Sequence, residues 1–227
     1  MKKVLILPLF MMILLDCSPQ PIREEVPIPV RYLALGDSYT MGEGVSEKER
    51  WPNQLADRLR EKGHLVDVTI VAHSGWTTFE LGEGIRAARP QGAYDLVSLL
   101  IGTNNQHRGR DIENYRIQFQ VLLDQAIVFA NGNPSSVLVL SIPDWSVTPF
   151  AMGMDRAQIS AEIDEYNAIN RALSEQAGVR YVDITSASRR ASDNPSLLVA
   201  DGLHPSGVLY ATWVELILPE AILALSK

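Results

Sequence analysis

From Val30 onward, short runs of apolar residues alternate with longer segments in which apolar residues recur every three or four positions. The short runs, rich in Val, Ile and Leu, predict β-strands, and the longer segments predict amphipathic helices. Several runs lack alternating polar positions, as is typical of strands buried on both faces of a parallel sheet. The predicted strands are Arg31–Leu35, Val66–Ala72, Asp95–Ile101, Ser136–Ile142 and Val179–Ile184.

The helical segments have recognisable ends. Pro52 begins one helix and Gly63 ends it, because proline suits the first turn and glycine suits a helix C-terminus. Thr77 and Glu80 have the spacing of a capping box. Further helices are predicted to begin at the polar residues Asp111, Asp155 and Ser206. Strands alternating with helices predict an α/β fold, a three-layer α/β/α sandwich with a central five-stranded parallel sheet.

The composition fits one globular domain and limits its partners. The chain has 227 residues, of which 46% are hydrophobic and 21% are charged, and we assign residues 30–227 to a single domain. The formal net charge is -7, and no basic stripe follows any predicted element. Because phosphate backbones attract basic surfaces, this balance argues against a nucleic-acid partner.

The first residues have a different character. Lys2 and Lys3 precede an apolar run from Val4 to Leu15, which is shorter than the roughly 20 residues of a membrane span. A basic start and a short apolar run predict an export signal over residues 1–17. Prolines recur through residues 18–29, which predicts an extended tether between the signal and the domain.

Cys17 is the only cysteine, so no disulfide framework is possible. The residues that precede it resemble the lipobox of bacterial lipoproteins, in which the cysteine is lipidated after cleavage. Leu14 fits that pattern, but Asp16 stands where a small residue is usual. The resemblance implies an exported protein, periplasmic or at the cell surface, with a membrane tether at Cys17. A plain secretion signal and an uncleaved apolar anchor are the alternatives.

Polar residues follow the predicted strands at positions that suit acyl transfer. Ser38 follows the first strand, Gly75 the second and Asn104 the third, while Asp201 and His204 lie beyond the fifth. The carboxyl ends of parallel strands share one edge of a sheet, so we expect these residues to meet there.

These residue types supply what an acyl transfer needs. A serine nucleophile needs a base, which is the predicted role of His204, and Asp201 would orient its imidazole. The N–H groups of Ser38 and Gly75 and the side-chain amide of Asn104 could stabilise an oxyanion.

These residues also carry a resemblance to the SGNH family, which is also called the GDSL hydrolases. Gly36-Asp37-Ser38, Gly75, Gly102-Thr103-Asn104 and the pair Asp201 and His204 match the four blocks of that family in order. Asn105 stands where the family usually has aspartate, and Tyr39 stands where the family's name has leucine. The resemblance implies a flavodoxin-like SGNH hydrolase fold and a serine esterase or lipase without a cofactor.

The resemblance leaves the substrate open. Carboxylic ester hydrolysis is the main prediction, on a small-molecule, lipid or glycan ester. Lysophospholipid or thioester cleavage and the removal of O-acetyl groups from carbohydrates are alternatives on the same site. A tethered binding module without catalysis is an alternative of another class. No metal is expected, because the chain has four histidines and no Asp-x-His or His-x-His sequence.

Other residues near the same sheet edge receive less specific predictions. Asp37 is expected to brace its turn by hydrogen bonds to loop amides. His107 is expected to be solvated or bonded to the backbone, with substrate contact as the alternative. For Asp144 and Trp145, which follow the fourth strand, a pocket wall and a structural turn are both possible.

Overall fold

The computed structural model describes residues 28–226. The predicted export segment 1–17, with Cys17, and most of the proline-rich tether 18–29 lie outside the described residues, so both stay predictions. Five parallel strands form one sheet in the order β2-β1-β3-β4-β5, which is the flavodoxin-like order. The strands are β1 (Val30–Gly36), β2 (Val66–Ala72), β3 (Leu96–Leu100), β4 (Val137–Leu140) and β5 (Arg180–Val182).

Helices cover both faces of this sheet. The α-helices are α1 (Ser38–Met41), α2 (Trp51–Glu61), α3 (Thr78–Ala88), α4 (Thr103–His107), α5 (Ile112–Phe129), α6 (Arg156–Gln176), α7 (Thr185–Ser188) and α8 (Gly207–Leu225). Short 3-10 helices cover Glu47–Glu49, Pro134–Ser136, Trp145–Val147, Pro149–Ala151, Arg189–Ser192 and Pro195–Leu197. The predicted three-layer α/β/α architecture is confirmed.

Alternate residues of each strand enter two separate cores. Leu33 and Leu35 of β1 pack with α3, α5 and α6, whereas Tyr32 and Ala34 pack with α2 and α8. Burial on both faces explains why the strands read as continuous apolar runs. Among residues 28–226, α8 has the length and composition of a membrane span, but it buries Tyr210 and Trp213 in the second core, as a soluble core helix does.

Several predicted strands were too long. Strands β3, β4 and β5 are shorter than predicted, and after β4 and β5 the neighbouring residues bond to side chains outside the ladder. The N–H of Ile142 donates to Asn167 Oδ1 at 2.7 Å, and the N–H of Ile184 donates to Ser141 Oγ at 2.8 Å. Hydropathy cannot distinguish these partners from a neighbouring strand.

The predicted helix starts are confirmed. Thr77 and Glu80 form the capping box at the start of α3, and the side chains of Asp111 and Asp155 accept from backbone N–H groups in the first turns of α5 and α6. Such caps satisfy N–H groups that have no acceptor within the helix. They fix where each helix leaves the loop before it, and the loops at the carboxyl edge of the sheet contain the predicted site residues.

Candidate active site

Ser38 lies at the end of β1, as the first residue of the short helix α1. Its Oγ is 2.9 Å from Nε2 of His204, whose Nδ1 is 2.6 Å from Oδ2 of Asp201. The three side chains therefore form one continuous hydrogen-bonded chain, assembled from the loop after β1 and the loop before α8.

Asp201 also holds the backbone of its own loop. Its Oδ1 accepts the N–H of Leu203 at 2.8 Å and that of His204 at 3.0 Å. Burial raises the pKa of the Asp201 carboxyl, but the His204 side chain and the two N–H donors lower it more, so the pKa lies below its ordinary value. Asp201 is therefore ionised at neutral pH and opposes Nδ1 of His204 with a negative charge.

Three potential oxyanion donors line the same cavity as Ser38 Oγ. The N–H groups of Ser38 and Gly75 donate to no other residue within 28–226. Gly75 has a φ of 80°, which favours glycine, and Arg108 Nη2 donates to its carbonyl oxygen at 2.5 Å. The Nδ2 of Asn104 donates to Trp76 O at 3.1 Å and, over a longer 3.4 Å, to Asp37 Oδ2.

Asp37 braces the turn, as predicted. Its Oδ1 accepts the N–H of Tyr39 at 3.0 Å and caps α1, and the residue is fully buried. Burial raises the pKa of the Asp37 carboxyl to about 7, and hydrogen bonds from Tyr39 and Asn104 offset only part of that rise. No contact joins Asp37 to the imidazole of His204.

The departure from the family pattern at Asn105 has a structural counterpart. Asn105 is buried, its Oδ1 accepts the N–H of Thr78 at 3.0 Å, and its Nδ2 donates to Thr78 Oγ1 at 2.8 Å. Asn105 thereby joins α4 to the first turn of α3. It makes no contact with Ser38 or His204, so this departure leaves the reacting groups in place.

The cavity has a volume of about 430 Å³. One wall is aromatic, because the ring of Trp145 lies 5.2 Å from that of His107 and 5.9 Å from that of Phe150. Gln106 accepts a hydrogen bond from Trp145 Nε1 at 2.8 Å and fixes the indole. Glu43 and Ser74 form a polar wall, in which Ser74 Oγ donates to the Glu43 carboxylate.

Sequence reasoning missed several of these residues. Glu43, Ser74 and Phe150 line the cavity without having been singled out, and Leu203 does so from within the Asp201–His204 loop. One sequence signal was available for Glu43, since it stands between two glycines beside the nucleophile block. His107 is exposed and also lines the cavity, so the alternative of substrate contact gains support.

Trp145 lines the cavity, and the side chain of Asp144 caps the turn that contains Trp145. The pair therefore forms both a pocket wall and a structural turn, the two possibilities that the sequence left open. The neighbouring turn is held by an ion pair between Asp144 and Arg189. Within the part of the chain that the structure describes, no group of three or more His, Cys, Asp or Glu side chains is placed to hold a metal ion.

Comparisons with known proteins agree with this architecture. The model of the GDSL-like lipase/acylhydrolase family matches residues 34–211, well over half of the chain. No curated protein sequence matches it.

Solved structures of the same fold are similar at low identity. TesA is 19% identical, covers 84% of this chain and 97% of its own, and has a TM-score of 0.63. Axe2, an acetylxylan esterase from Geobacillus stearothermophilus, is 18% identical, with 86% and 95% coverage and a TM-score of 0.64. The esterase EstA from Pseudoalteromonas sp. is 15% identical, with 87% and 100% coverage and a TM-score of 0.62.

Proposed function

We propose that this chain, which belongs to the GDSL-like lipase/acylhydrolase family and is a hydrolase of ester bonds, cleaves carboxylic esters through Ser38, His204 and Asp201. The observation that carries the proposal is the continuous chain of hydrogen bonds from Ser38 Oγ through His204 to Asp201. Such a chain activates a hydroxyl group that is otherwise a weak nucleophile.

The contacts support the following steps. Nε2 of His204 takes the proton of Ser38 as Oγ attacks the acyl carbon, and Asp201 stabilises the imidazolium that forms. His204 then returns the proton to the leaving alcohol. Water, activated in the same way, attacks the acyl-enzyme and releases the acid with Ser38 restored.

The negative charge of the tetrahedral intermediate needs preorganised donors. The N–H groups of Ser38 and Gly75 fit this role because they line the cavity and donate to no other residue among 28–226. The long 3.4 Å contact between Asn104 Nδ2 and Asp37 leaves one amide hydrogen weakly held, so it can turn to the oxyanion. Donors of this kind contribute more in a partly dry cavity than in water.

The same proposed chemistry extends to several acyl substrates. Carboxylic ester hydrolysis is the general proposal, and lysophospholipid, thioester and acetylated carbohydrate cleavage are narrower forms of it. Axe2, which shares the fold, is an acetylxylan esterase. The aromatic wall at Trp145 offers ring faces that suit the apolar face of a sugar as well as an acyl chain. For localisation, we propose export with a lipid anchor at Cys17, on the sequence evidence alone.

The deciding experiment compares wild type with Ser38→Ala on p-nitrophenyl acetate and p-nitrophenyl decanoate. Hydrolysis by wild type and its loss in the variant would support the proposal, and the ratio of the two rates would measure the acyl length that the cavity accepts. Covalent labelling by a fluorophosphonate, in wild type but not in Ser38→Ala, provides a second readout. A wild type that neither hydrolyses these esters nor becomes labelled would favour the non-catalytic binding module.

A further inference from the structure

The carboxylate of Glu43 lines the cavity, but the proposed mechanism does not use it. Its backbone N–H donates to the carbonyl oxygen of Ser38 at 3.1 Å, so Glu43 is attached to the helix that begins with the proposed nucleophile. Gly42 and Gly44, on either side, have φ values of 76° and 77°. The turn therefore depends on two residues that adopt left-handed backbone without strain, and it presents Glu43 to the cavity.

The Glu43 side chain is fixed as well as its backbone. Ser74 Oγ donates to Glu43 Oε2, which joins the loop after β1 to the loop that contains Gly75. The other oxygen, Oε1, accepts no hydrogen bond from a residue within 28–226. Glu43, which lines the cavity, thus has one carboxylate oxygen that the described part of the protein does not itself use.

The charges around the cavity limit what can bind beside Glu43. Asp201 contributes a second carboxylate to the wall, and none of the described lining residues is lysine or arginine. The nearby Arg108 is committed to Gly75 and Glu80. An anionic substrate group would therefore meet like charge without a compensating cation, which is unfavourable in a partly desolvated cavity.

The aromatic wall of the same cavity favours a different kind of group. The rings of Trp145, Phe150 and His107 offer apolar surface that suits an acyl group or the C–H face of a ring. A substrate that satisfies both walls has apolar atoms for the aromatic rings and hydroxyl donors for Glu43.

We propose that Glu43 is a specificity-determining residue, whose carboxylate accepts a hydrogen bond from a free hydroxyl on the alcohol portion of the ester and disfavours esters of anionic alcohols. The favoured substrates are then esters of polyols. This inference rests on the proposed function, because it places the alcohol beside an ester that Ser38 attacks.

The variant Glu43→Gln distinguishes a role of Glu43 in substrate recognition from a role in holding the two loops together. In the variant, the side-chain carbonyl oxygen can still accept from Ser74, so the connection between the two loops is retained. The group that faces the cavity becomes an NH₂ donor instead of a carboxylate acceptor. Hydroxyl and ether oxygens both accept from an amide, so the variant should no longer distinguish them. Glu47→Gln, in an exposed helix outside the cavity, changes the net charge equally and is the control.

The experiment measures kcat/KM for two matched pairs of esters. The first pair, 2-hydroxyethyl acetate and 2-methoxyethyl acetate, differs by methylation of one hydroxyl. The second pair, phenyl acetate and 4-acetoxybenzoate, differs by one carboxylate on the leaving group. Wild type should prefer the first member of each pair. In Glu43→Gln the ratio of kcat/KM within each pair should fall at least about 10-fold, because a hydrogen bond to a charged group has an effect of that size. In Glu47→Gln both ratios should stay at the wild-type values.

The outcomes separate this inference from the proposed function. Wild type that hydrolyses both members of each pair equally would overturn the role of Glu43, and so would preferences that survive in Glu43→Gln. Such a result would leave Glu43 as a structural connection, provided that Ser38→Ala is inactive on all four esters. If Ser38→Ala retained the wild-type rates, the proposed function itself would be wrong.

Discussion

Nε2 of His204 lies 2.9 Å from Oγ of Ser38, although the two residues are 166 positions apart in the sequence. Parallel topology explains the distance, because Ser38 follows the carboxyl end of β1 and the loop of His204 returns to the same edge of the sheet. The ring of Tyr39 lies 5.1 Å from the imidazole and packs it from the side of α1. The proposed base is thereby held by Asp201, by Ser38 and by an aromatic neighbour.

Asp201→Asn should inactivate the enzyme without unfolding it. Asn can keep Oδ1 as the acceptor for the loop N–H groups, but its NH₂ then faces Nδ1 of His204 and favours the tautomer that carries hydrogen on Nε2. That nitrogen can no longer take the proton of Ser38, and we expect kcat to fall on the order of 10⁴-fold. Steady-state hydrolysis of p-nitrophenyl acetate measures the fall in kcat.

The control for Asp201→Asn is Asp193→Asn, at an exposed position on the approach to the same loop. It should keep the wild-type rate, and both variants should unfold at nearly the wild-type temperature. An Asp201→Asn enzyme within tenfold of wild type, as an order-of-magnitude limit, would remove Asp201 from the proposed triad.

Asn104→Ala should affect the transition state more than substrate binding. Removing one oxyanion donor is expected to lower kcat roughly 10² to 10³-fold with little change in KM. Asn104→Asp, which has the same size but no N–H donor, should lose at least as much. A rise in KM with kcat preserved would indicate that Asn104 binds the substrate in its ground state instead.

Asn105→Ala should reduce stability more directly than activity. The variant leaves the buried N–H of Thr78 without its acceptor, so the free energy of unfolding should fall by about 1–3 kcal/mol. Urea unfolding measures this change. Asn53→Ala removes a hydrogen bond in an exposed position and should stay within about 0.5 kcal/mol of wild type. Equal effects from the two variants would contradict the structural role of Asn105.

Most of the fold and the reacting groups could be predicted from the sequence, because both follow from local signals. Short runs of mostly apolar residues predicted β1 and β2 to within a residue, and caps such as Asp111 predicted where helices begin. Ser38 and His204 could be brought together in prediction because parallel strands end at one edge of a sheet.

The walls of the cavity could not be predicted in the same way. Glu43 reaches the cavity only because two left-handed glycines direct the chain, and Phe150 reaches it because its N–H donates to the carbonyl oxygen of Gly202 at 3.1 Å. These placements depend on contacts between loops distant in sequence, and no periodic pattern marks them. Strand ends at Ile142 and Ile184 were missed for the same reason, since side chains replace the ladder there.

The buried carboxyl of Asp37 should make the stability of the protein depend on pH. Its pKa rises from 3.8 to about 7 in the folded state because burial disfavours the charged form. The native state therefore binds a proton that the unfolded state has released between these two pH values. The contribution of Asp37 to the free energy of unfolding is fully present below the pKa of Asp37 in the unfolded chain. It is lost as the pH rises through about 7, the pKa in the folded state.

Asp37→Asn isolates that contribution, because asparagine caps a helix as aspartate does but cannot ionise. Relative to wild type, the free energy of unfolding of the variant should gain up to about 1.4 kcal/mol per pH unit as the pH rises from 4 to 7. Urea unfolding at a series of pH values measures the difference. Asp67→Asn, at an exposed position, should differ from wild type by a constant amount. A constant difference for Asp37→Asn as well would mean that the Asp37 carboxyl ionises in the folded protein as readily as in the unfolded chain.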